Sequence, residues 1–274
     1  MTEIDPDITR PLRSGPCSQV QLETPVFQAW LERMGESHLA MHRKGWEHAY
    51  IAQALAERDL LRPGRRGLGF AVGREGLPAL FANLGCDVMA TDLSPDDTTS
   101  AQWAETGQHA SGVDAVNFRG IVAPEVLRSR VSFRAVDMRA IPADLRGFDF
   151  VWSSCSLEHL GTIGRGLRFI LDALECVRPG GFAVHTTEFN LSSNRWTLPA
   201  GNTVLFRRRD FERLARRLRA SGHEVELDFT LGDGWAERIV DRPPYRTDVH
   251  LRLRLRWFDS TSFGLIIRKS ATGA

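Results

Sequence analysis

The feature that most constrains this chain is a glycine turn between two strand-like segments in residues 66–95. Residues 67–73 (GLGFAVG) predict a buried strand that breaks into the turn, residues 77–84 have helical spacing, and residues 87–91 predict a second strand that ends at Asp92. Asp92 follows Gly73 by 19 residues. In the nucleotide-binding fingerprint, glycines at this spacing let the backbone approach the ligand, and the carboxylate binds two ribose hydroxyls. The stretch therefore predicts a nucleoside-type cofactor; the alternative is a tight turn that binds nothing, with Asp92 as a helix cap.

Composition narrows the class of protein. The chain has 274 residues with 35 basic and 34 acidic side chains, so its charge gives no reason to expect nucleic acid or an anionic membrane as a partner. Its four cysteines lie far apart without a CxxC pair, which argues against a disulfide framework and a thiolate zinc site. The N-terminus is polar and broken by proline, unlike a signal peptide, and no apolar run approaches the length of a membrane span. We expect a soluble cytoplasmic protein.

The order of the predicted elements suggests three parts. Residues 1–24 predict an N-terminal arm, residues 25–62 a helical cap and residues 63–274 the main domain. Further strands are predicted at 131–136, 148–152, 182–185, 224–229 and 262–267, mostly alternating with helices, which indicates an α/β fold. In the cap, apolar residues recur at helical spacing on two faces: Phe27, Trp30, Leu31 and Met34 on one, and Trp46, Tyr50, Ile51 and Leu55 on the other.

A short sequence motif late in the chain resembles a motif of a known protein family. Residues 178–181 read Arg-Pro-Gly-Gly and precede an apolar strand, and residues 148–160 read as a strand followed by SLEHL. Together with the glycine turn and Asp92, these residues resemble the class I S-adenosylmethionine-dependent methyltransferases. More loosely, the chain resembles bacterial methyltransferases of saccharide and natural-product pathways. The resemblance implies a Rossmann-like, seven-stranded, mostly parallel sheet with helices on both faces.

The resemblance also implies a cofactor site for S-adenosylmethionine. The family's first motif usually has an acid two residues before its first glycine and a glycine in its middle, where this chain has Gly67 and Ala71. Glu75, just after the turn, is a candidate substitute for the missing acid. The cofactor-binding residues implied by the motifs are Gly69, Ala71, Gly73, Glu75, Asp92, Leu93, Asp137, Met138, Ser153 and Ser154.

Catalytic candidates follow from where ligands bind in open α/β sheets, which is outside the carboxyl ends of the strands. Methyl transfer is an in-line displacement, and a hydroxyl acceptor must also lose its proton, for which histidine suits a general base near neutrality. Mg²⁺ held by some of the carboxylates and the substrate is a further option. The candidates are His185, which we prefer slightly as the base, His159, which occupies the family's position, and Glu188 and Asp241.

We therefore expect an O-methyltransferase that acts on a sugar or another small hydroxylated metabolite. The Asn/Asp-Pro-Pro-Tyr signature of many amino-directed methyltransferases is absent after the fourth strand, which favours hydroxyl over nucleic-acid-base or protein-amide acceptors. N- or C-methylation of a small molecule and a non-catalytic cofactor-binding module are the alternatives, with a nicotinamide oxidoreductase behind them. The sequence leaves a homodimer open.

Overall fold

The computed structural model describes residues 11–94, 109–110, 112–245 and 248–271. The helices in these ranges surround one sheet and alternate with its strands for most of the chain. They are α1 (Gln19–Leu22), α2 (Pro25–Arg33), α3 (Arg43–Ala56), α4 (Leu77–Asn83), α5 (Pro124–Arg130), α6 (Ile163–Cys176) and α7 (Arg208–Ala220). None of these helices combines the length and apolar character needed to cross a membrane.

The strands form one mixed sheet. They are β1 (Gly15–Pro16), β2 (Arg66–Phe70), β3 (Asp87–Asp92), β4 (Val131–Ala135), β5 (Phe148–Ser154), β6 (Val177–Asn190), β7 (Val240–Asp241), β8 (Arg252–Leu255) and β9 (Phe258–Arg268). The order across the sheet is β4-β3-β2-β5-β6-β9-β8-β7, and β1 pairs with β9. Strands β2 to β6 pair in parallel, while β9 runs antiparallel to β6 and β8. The predicted Rossmann-like fold is confirmed.

The predicted strand number is wrong in detail, because this sheet has nine strands instead of seven. The predicted strand at 224–229 makes only single bridges, from Glu224 to Arg268 and from Leu227 to Ser14. Alternation of polar and apolar residues fits such an edge segment as well as it fits a strand. Two of the extra strands, β1 and β7, have two residues each, too short to leave a period-2 pattern in the sequence.

Helices cover both faces of the sheet, as predicted. The central strand β5 is buried along its whole length, and its side chains alternate between two apolar clusters. Phe150 and Trp152 pack in the cluster that contains α3 and α4, and Val151 packs in the cluster that contains α6 and α7. This arrangement leaves the carboxyl ends of the strands as the place for a cleft.

The helices before residue 62 pack against the sheet. The apolar faces predicted for them are buried in the same cluster as Phe150 and Trp152. On α3, the buried ring of Tyr50 lies against Gly264 of β9, and its hydroxyl donates to the Arg13 carbonyl oxygen at 2.8 Å. The division into arm, cap and main domain stays a prediction.

The close contact between α3 and β9 generates a stability prediction. A Cβ added at Gly264 would lie 2.2 Å from the Tyr50 ring, so Gly264→Ala overpacks the core and should lower the free energy of unfolding by about 1–3 kcal/mol. Gly112→Ala is the control, because an added Cβ there meets nothing within 4 Å. Urea unfolding of both variants measures the effect; equal midpoints would mean that the Tyr50 contact does not constrain the fold.

Candidate active site

A cavity of about 650 Å³ opens at the carboxyl ends of the parallel strands. Its wall includes the turn after β2, the ends of β3 and β4, the segment after β5 and the start of α3. The lining residues predicted from the sequence are Ala71, Gly73, Glu75, Asp92, Leu93, Asp137, Met138, Ser154 and His159. The structure therefore brings together most of the predicted cofactor residues and one predicted catalytic residue.

The turn after β2 brings backbone to the cavity surface. Ala71 and Gly73 have positive φ angles of 47° and 52°, the left-handed conformation that favours glycine. Gly69, by contrast, does not line the cavity. A Cβ at Gly69 would lie 2.4 Å from the Trp152 ring, so this glycine is required for packing between β2 and β5.

Asp92 ends β3 with its carboxylate oriented by backbone donors. Its two oxygens accept hydrogen bonds from Leu93 N at 2.8 Å and from Ala110 N at 3.0 Å. Burial raises the pKa of Asp92, while the backbone N–H groups act in the opposite direction. The neighbouring His109 Nε2 donates to the Leu93 carbonyl oxygen at 2.9 Å, which supports the same segment.

The ends of β4 and β5 add the other walls. Asp137 accepts from the backbone N–H of Arg139 at 2.8 Å and also pairs with its side chain, and Met138 is buried beside it. Ser154 lines the cavity, but Ser153, its neighbour on the opposite side of the strand, does not. The prediction of both serines as cofactor ligands therefore fits the geometry only at Ser154.

His185 lies away from the cavity. The predicted end of its strand at residue 185 is wrong, because β6 continues to Asn190 and His185 pairs with Ser153 inside the sheet. The ring is fully buried, its Nδ1 lies 2.8 Å from Ser153 Oγ, and its Nε2 has no hydrogen-bond partner among the described residues. Burial lowers the pKa of His185 to about 3. A neutral histidine in this position cannot reach an acceptor in the cavity.

His159 does line the cavity, in the segment after β5. Its Nδ1 lies 2.7 Å from the carbonyl oxygen of Asn202. Because a carbonyl oxygen only accepts, Nδ1 must carry the hydrogen, and the basic lone pair of the neutral ring is then on Nε2. Nε2 lies 3.9 Å from the carboxylate of buried Glu158. This is the tautomer that a general base acting through Nε2 needs.

Glu188 and Asp241 belong to buried polar groups outside the cavity wall. Glu188 pairs with Arg43 at 2.7 Å and accepts from Ser260 Oγ at 3.1 Å. Burial raises the pKa of Glu188 to about 7, against the lowering effect of Arg43. Asp241 lies 2.6 Å from His250 Nδ1. Neither carboxylate is placed to contact an acceptor in the cavity directly.

Several cavity residues were not singled out from the sequence as site residues. Glu36, Lys44 and His48 come from the segment before the main domain, and Cys155 follows Ser154 directly. The helical spacing of residues 43–56 predicts α3, but it does not show which polar side chain of that helix faces a distant strand end. The packing of α3 on the sheet brings Lys44 and His48 to the site, and Glu36 contacts His48 there at 2.7 Å.

Mg²⁺, which the sequence leaves as an option, does not fit the cluster formed by Cys155, Glu158 and Glu188. Cys155, Glu158 and Glu188 offer ligand atoms that lie within 4.8 Å of one another. However, a thiol is a poor ligand for Mg²⁺, and the Arg43 guanidinium already lies 3.3 Å from Cys155 Sγ and 2.7 Å from Glu188.

Comparison with known proteins identifies the central part of the chain. Residues 68–185, which include the glycine turn, Asp92 and His159, match the family model described as a methyltransferase domain. These residues therefore form a methyltransferase domain. The match confirms the methyltransferase predicted from the sequence over these residues. No curated protein matches the methyltransferase in sequence.

A solved methyltransferase structure shares the fold of this chain. Magnesium protoporphyrin IX methyltransferase (ChlM) from Synechocystis PCC 6803, with bound S-adenosylhomocysteine, aligns with a TM-score of 0.51 at 13% identity, over 92% of this chain and 98% of that chain. The glycopeptide N-methyltransferase MtfA with S-adenosylmethionine aligns at 17% identity and a TM-score of 0.46, over 80% of this chain and 92% of that chain. With sinefungin, MtfA aligns over only 57% of its own length, at 23% identity and a TM-score of 0.38. At these identities the likeness to ChlM is a likeness of fold.

The buried, neutral His185 should make the free energy of unfolding decrease at acid pH. Its folded pKa lies below the ordinary value of 6.5, so the unfolded chain binds the proton first and stability is lost as pH falls below 6.5. The loss is about 1.4 kcal/mol per pH unit, or about 2 kcal/mol between pH 6.5 and 5. His185→Asn keeps a polar group near Ser153 but does not titrate. Urea unfolding at both pH values should show a smaller acid loss in the variant; equal losses would contradict the buried neutral state.

Proposed function

We propose that this enzyme transfers the methyl group of S-adenosylmethionine to a hydroxyl of a sugar or another small hydroxylated metabolite. The observation that carries the proposal is that a single cavity is lined by the glycine turn, the carboxylate of Asp92 and the imidazole of His159. The first two are the groups expected to hold the nucleoside, and the third is a base beside the segment where acceptors bind. A cavity of this volume suits a cofactor and a small acceptor together.

In this proposal each wall of the cavity holds one part of the cofactor. Asp92 accepts from the two ribose hydroxyls, because its oxygens are fixed by the N–H groups of Leu93 and Ala110 and still line the cavity. Leu93 and Met138 flank the adenine, and the backbone at Gly73 approaches the amino-acid part. The sulfonium methyl then faces the segment from Cys155 to His159.

The chemistry assigned to His159 is proton removal concerted with attack. The acceptor oxygen bonds to the methyl carbon, the carbon–sulfur bond breaks with its electron pair staying on sulfur, and the hydroxyl proton passes to His159 Nε2. Asn202 holds Nδ1–H, and the nearby Glu158 carboxylate stabilises the imidazolium that forms. S-adenosylhomocysteine and the methylated acceptor are the products.

The charge balance and the cysteines indicate which partners and which compartment to expect for the enzyme. We expect a small-molecule acceptor and no nucleic acid or membrane partner, because the basic and acidic residues balance. The cysteines at 17, 86, 155 and 176 are all free, which suits the reducing cytoplasm. A bacterial saccharide or natural-product pathway, and a homodimer, remain expectations.

Removal of the Asp92 carboxylate tests the cofactor site. Asp92→Ala should weaken S-adenosylhomocysteine binding by about 2–4 kcal/mol, because two charge-assisted hydrogen bonds to the ribose are lost. Asp87→Ala is the matched control, since Asp87 begins the same strand and pairs with Arg130 at 3.1 Å, away from the cavity. Calorimetric titration measures both; an Asp92→Ala affinity within threefold of the parent would remove the ribose assignment.

Substitution of His159 tests the proposed base. His159→Ala should keep cofactor affinity while turnover falls by at least ~10², the usual contribution of a general base, and the acid limb of the pH–rate profile should disappear. Turnover is followed with methyl-labelled S-adenosylmethionine on the acceptor that a panel of sugars and hydroxylated metabolites identifies. His223→Ala serves as the control, because His223 is not among the residues that line the cavity. Retention of most turnover by His159→Ala would rule this base out.

A further inference from the structure

The cofactor's amino-acid end needs a carboxylate that the first motif does not supply. Gly67 stands where the family usually has an acid, and it cannot be replaced by one in this fold. A Cβ at Gly67 would lie 2.5 Å from the ring of Phe150 on the neighbouring strand. The ammonium group of S-adenosylmethionine must therefore find a partner elsewhere in the cavity, because an unpaired buried charge is costly.

Glu75 is a carboxylate that faces the same cavity from the turn after β2. It is 7% exposed, and its Oε1 accepts from the indole N–H of Trp152 at 2.7 Å. Its Oε2 lies 3.8 Å from His48 Nε2. The indole N–H therefore holds one oxygen of Glu75. The other oxygen lies beside His48, at the wall of the cavity.

Glu75 is the first member of a row of charged side chains that continues through His48 and Glu36 to Arg119. His48 Nδ1 lies 2.7 Å from Glu36, and the other oxygen of Glu36 accepts from Arg119 at 3.0 Å. Burial lowers the pKa of His48, but Glu36 and Glu75 outweigh it and raise the pKa above its ordinary value. The imidazole is thus held as a cation between two carboxylates. All four side chains line the cavity.

We propose that Glu75 binds the ammonium group of S-adenosylmethionine, and that His48, held by Glu36, is the positioning residue that orients Glu75 towards this group and favours its ionised form. This inference rests on the proposed function, because it takes the cavity to be the cofactor site. It assigns the role of the acid absent at Gly67 to residues from the turn and from two segments far upstream in the chain.

In this site, cofactor binding should be coupled to the release of a proton from Glu75. Burial raises the pKa of Glu75 to about 7, against the lowering effects of His48, Trp152 and Lys44, while Glu36 adds to the raising. Arg119 and His38 act on Glu36, and Lys44 acts on His48. An ammonium group beside Glu75 favours its ionised form, so binding releases a proton near pH 7. Affinity for ligands with this group should therefore rise as pH increases from 6 to 8.

Two ligands distinguish binding at the ammonium subsite from binding in the rest of the cavity. S-adenosylhomocysteine carries the amino-acid end, and 5′-methylthioadenosine carries the same adenosine and a sulfur without it. Glu75→Gln keeps an acceptor for Trp152 but removes the charge, so affinity for S-adenosylhomocysteine should fall ~10–100-fold while affinity for 5′-methylthioadenosine changes less than ~3-fold. His48→Gln should weaken S-adenosylhomocysteine selectively as well, and should shift its pH dependence to higher pH.

Calorimetry of the full chain in phosphate and in Tris at pH 7 counts the released protons. The wild type should release a fraction of a proton with S-adenosylhomocysteine and none with 5′-methylthioadenosine, and Glu75→Gln should abolish the release. His223→Gln is the control histidine and should change nothing. Equal losses for both ligands in Glu75→Gln, or unchanged proton release, would overturn the inference. Failure of the proposed function has a different signature, in which the wild type binds neither ligand.

Discussion

The structure depends on a close contact between two neighbouring parallel strands, β2 and β5. Chain order reverses at this pair, since β2 continues to β3 on one side of the sheet and lies beside β5 on the other, and such a point opens a crevice at the carboxyl ends. Gly69 lets the Trp152 ring lie across β2, because any side chain there would collide with it. The same indole then holds Glu75 at the cavity wall. One packing contact thus shapes the sheet and places a functional carboxylate.

A buried ionic layer forms beneath the segment after β5. Glu47 of α3 is fully buried and bonds to Arg43, Lys44, Cys155 and Ser262, which ties the helix to strands β5 and β9. Arg43 extends the layer to Glu188 of β6. Burial alone would raise the pKa of Glu47, but the two cations beside it lower the pKa below its ordinary value. The cations therefore leave neither buried carboxylate, Glu47 or Glu188, as an uncompensated charge, and removal of one partner would be costly.

Local patterns in the sequence predicted the parts of the site that lie close together along the chain. The turn, the helix and Asp92 follow from spacing within 30 residues, and His159 follows from a family motif. The sequence did not predict the parts that depend on long-range packing: His48 reaches the cavity because α3 packs on the sheet, and Glu36 is held there by His48 and Arg119. His185 was misplaced because the strand was expected to end there, whereas antiparallel pairing with β9 extends β6 to Asn190. The segment at 224–229 alternates like a strand but finds only single bridges.

The central claim is that one cavity holds S-adenosylmethionine with its ribose on Asp92 and its reacting sulfur towards His159. A crystal structure of the protein with S-adenosylhomocysteine measures this directly. We expect both ribose hydroxyls within hydrogen-bond distance of the Asp92 carboxylate, the ammonium group beside Glu75, and the sulfur facing the segment from Cys155 to His159. A nucleoside bound outside this cavity, or bound in it with its ribose turned away from Asp92, would contradict the account.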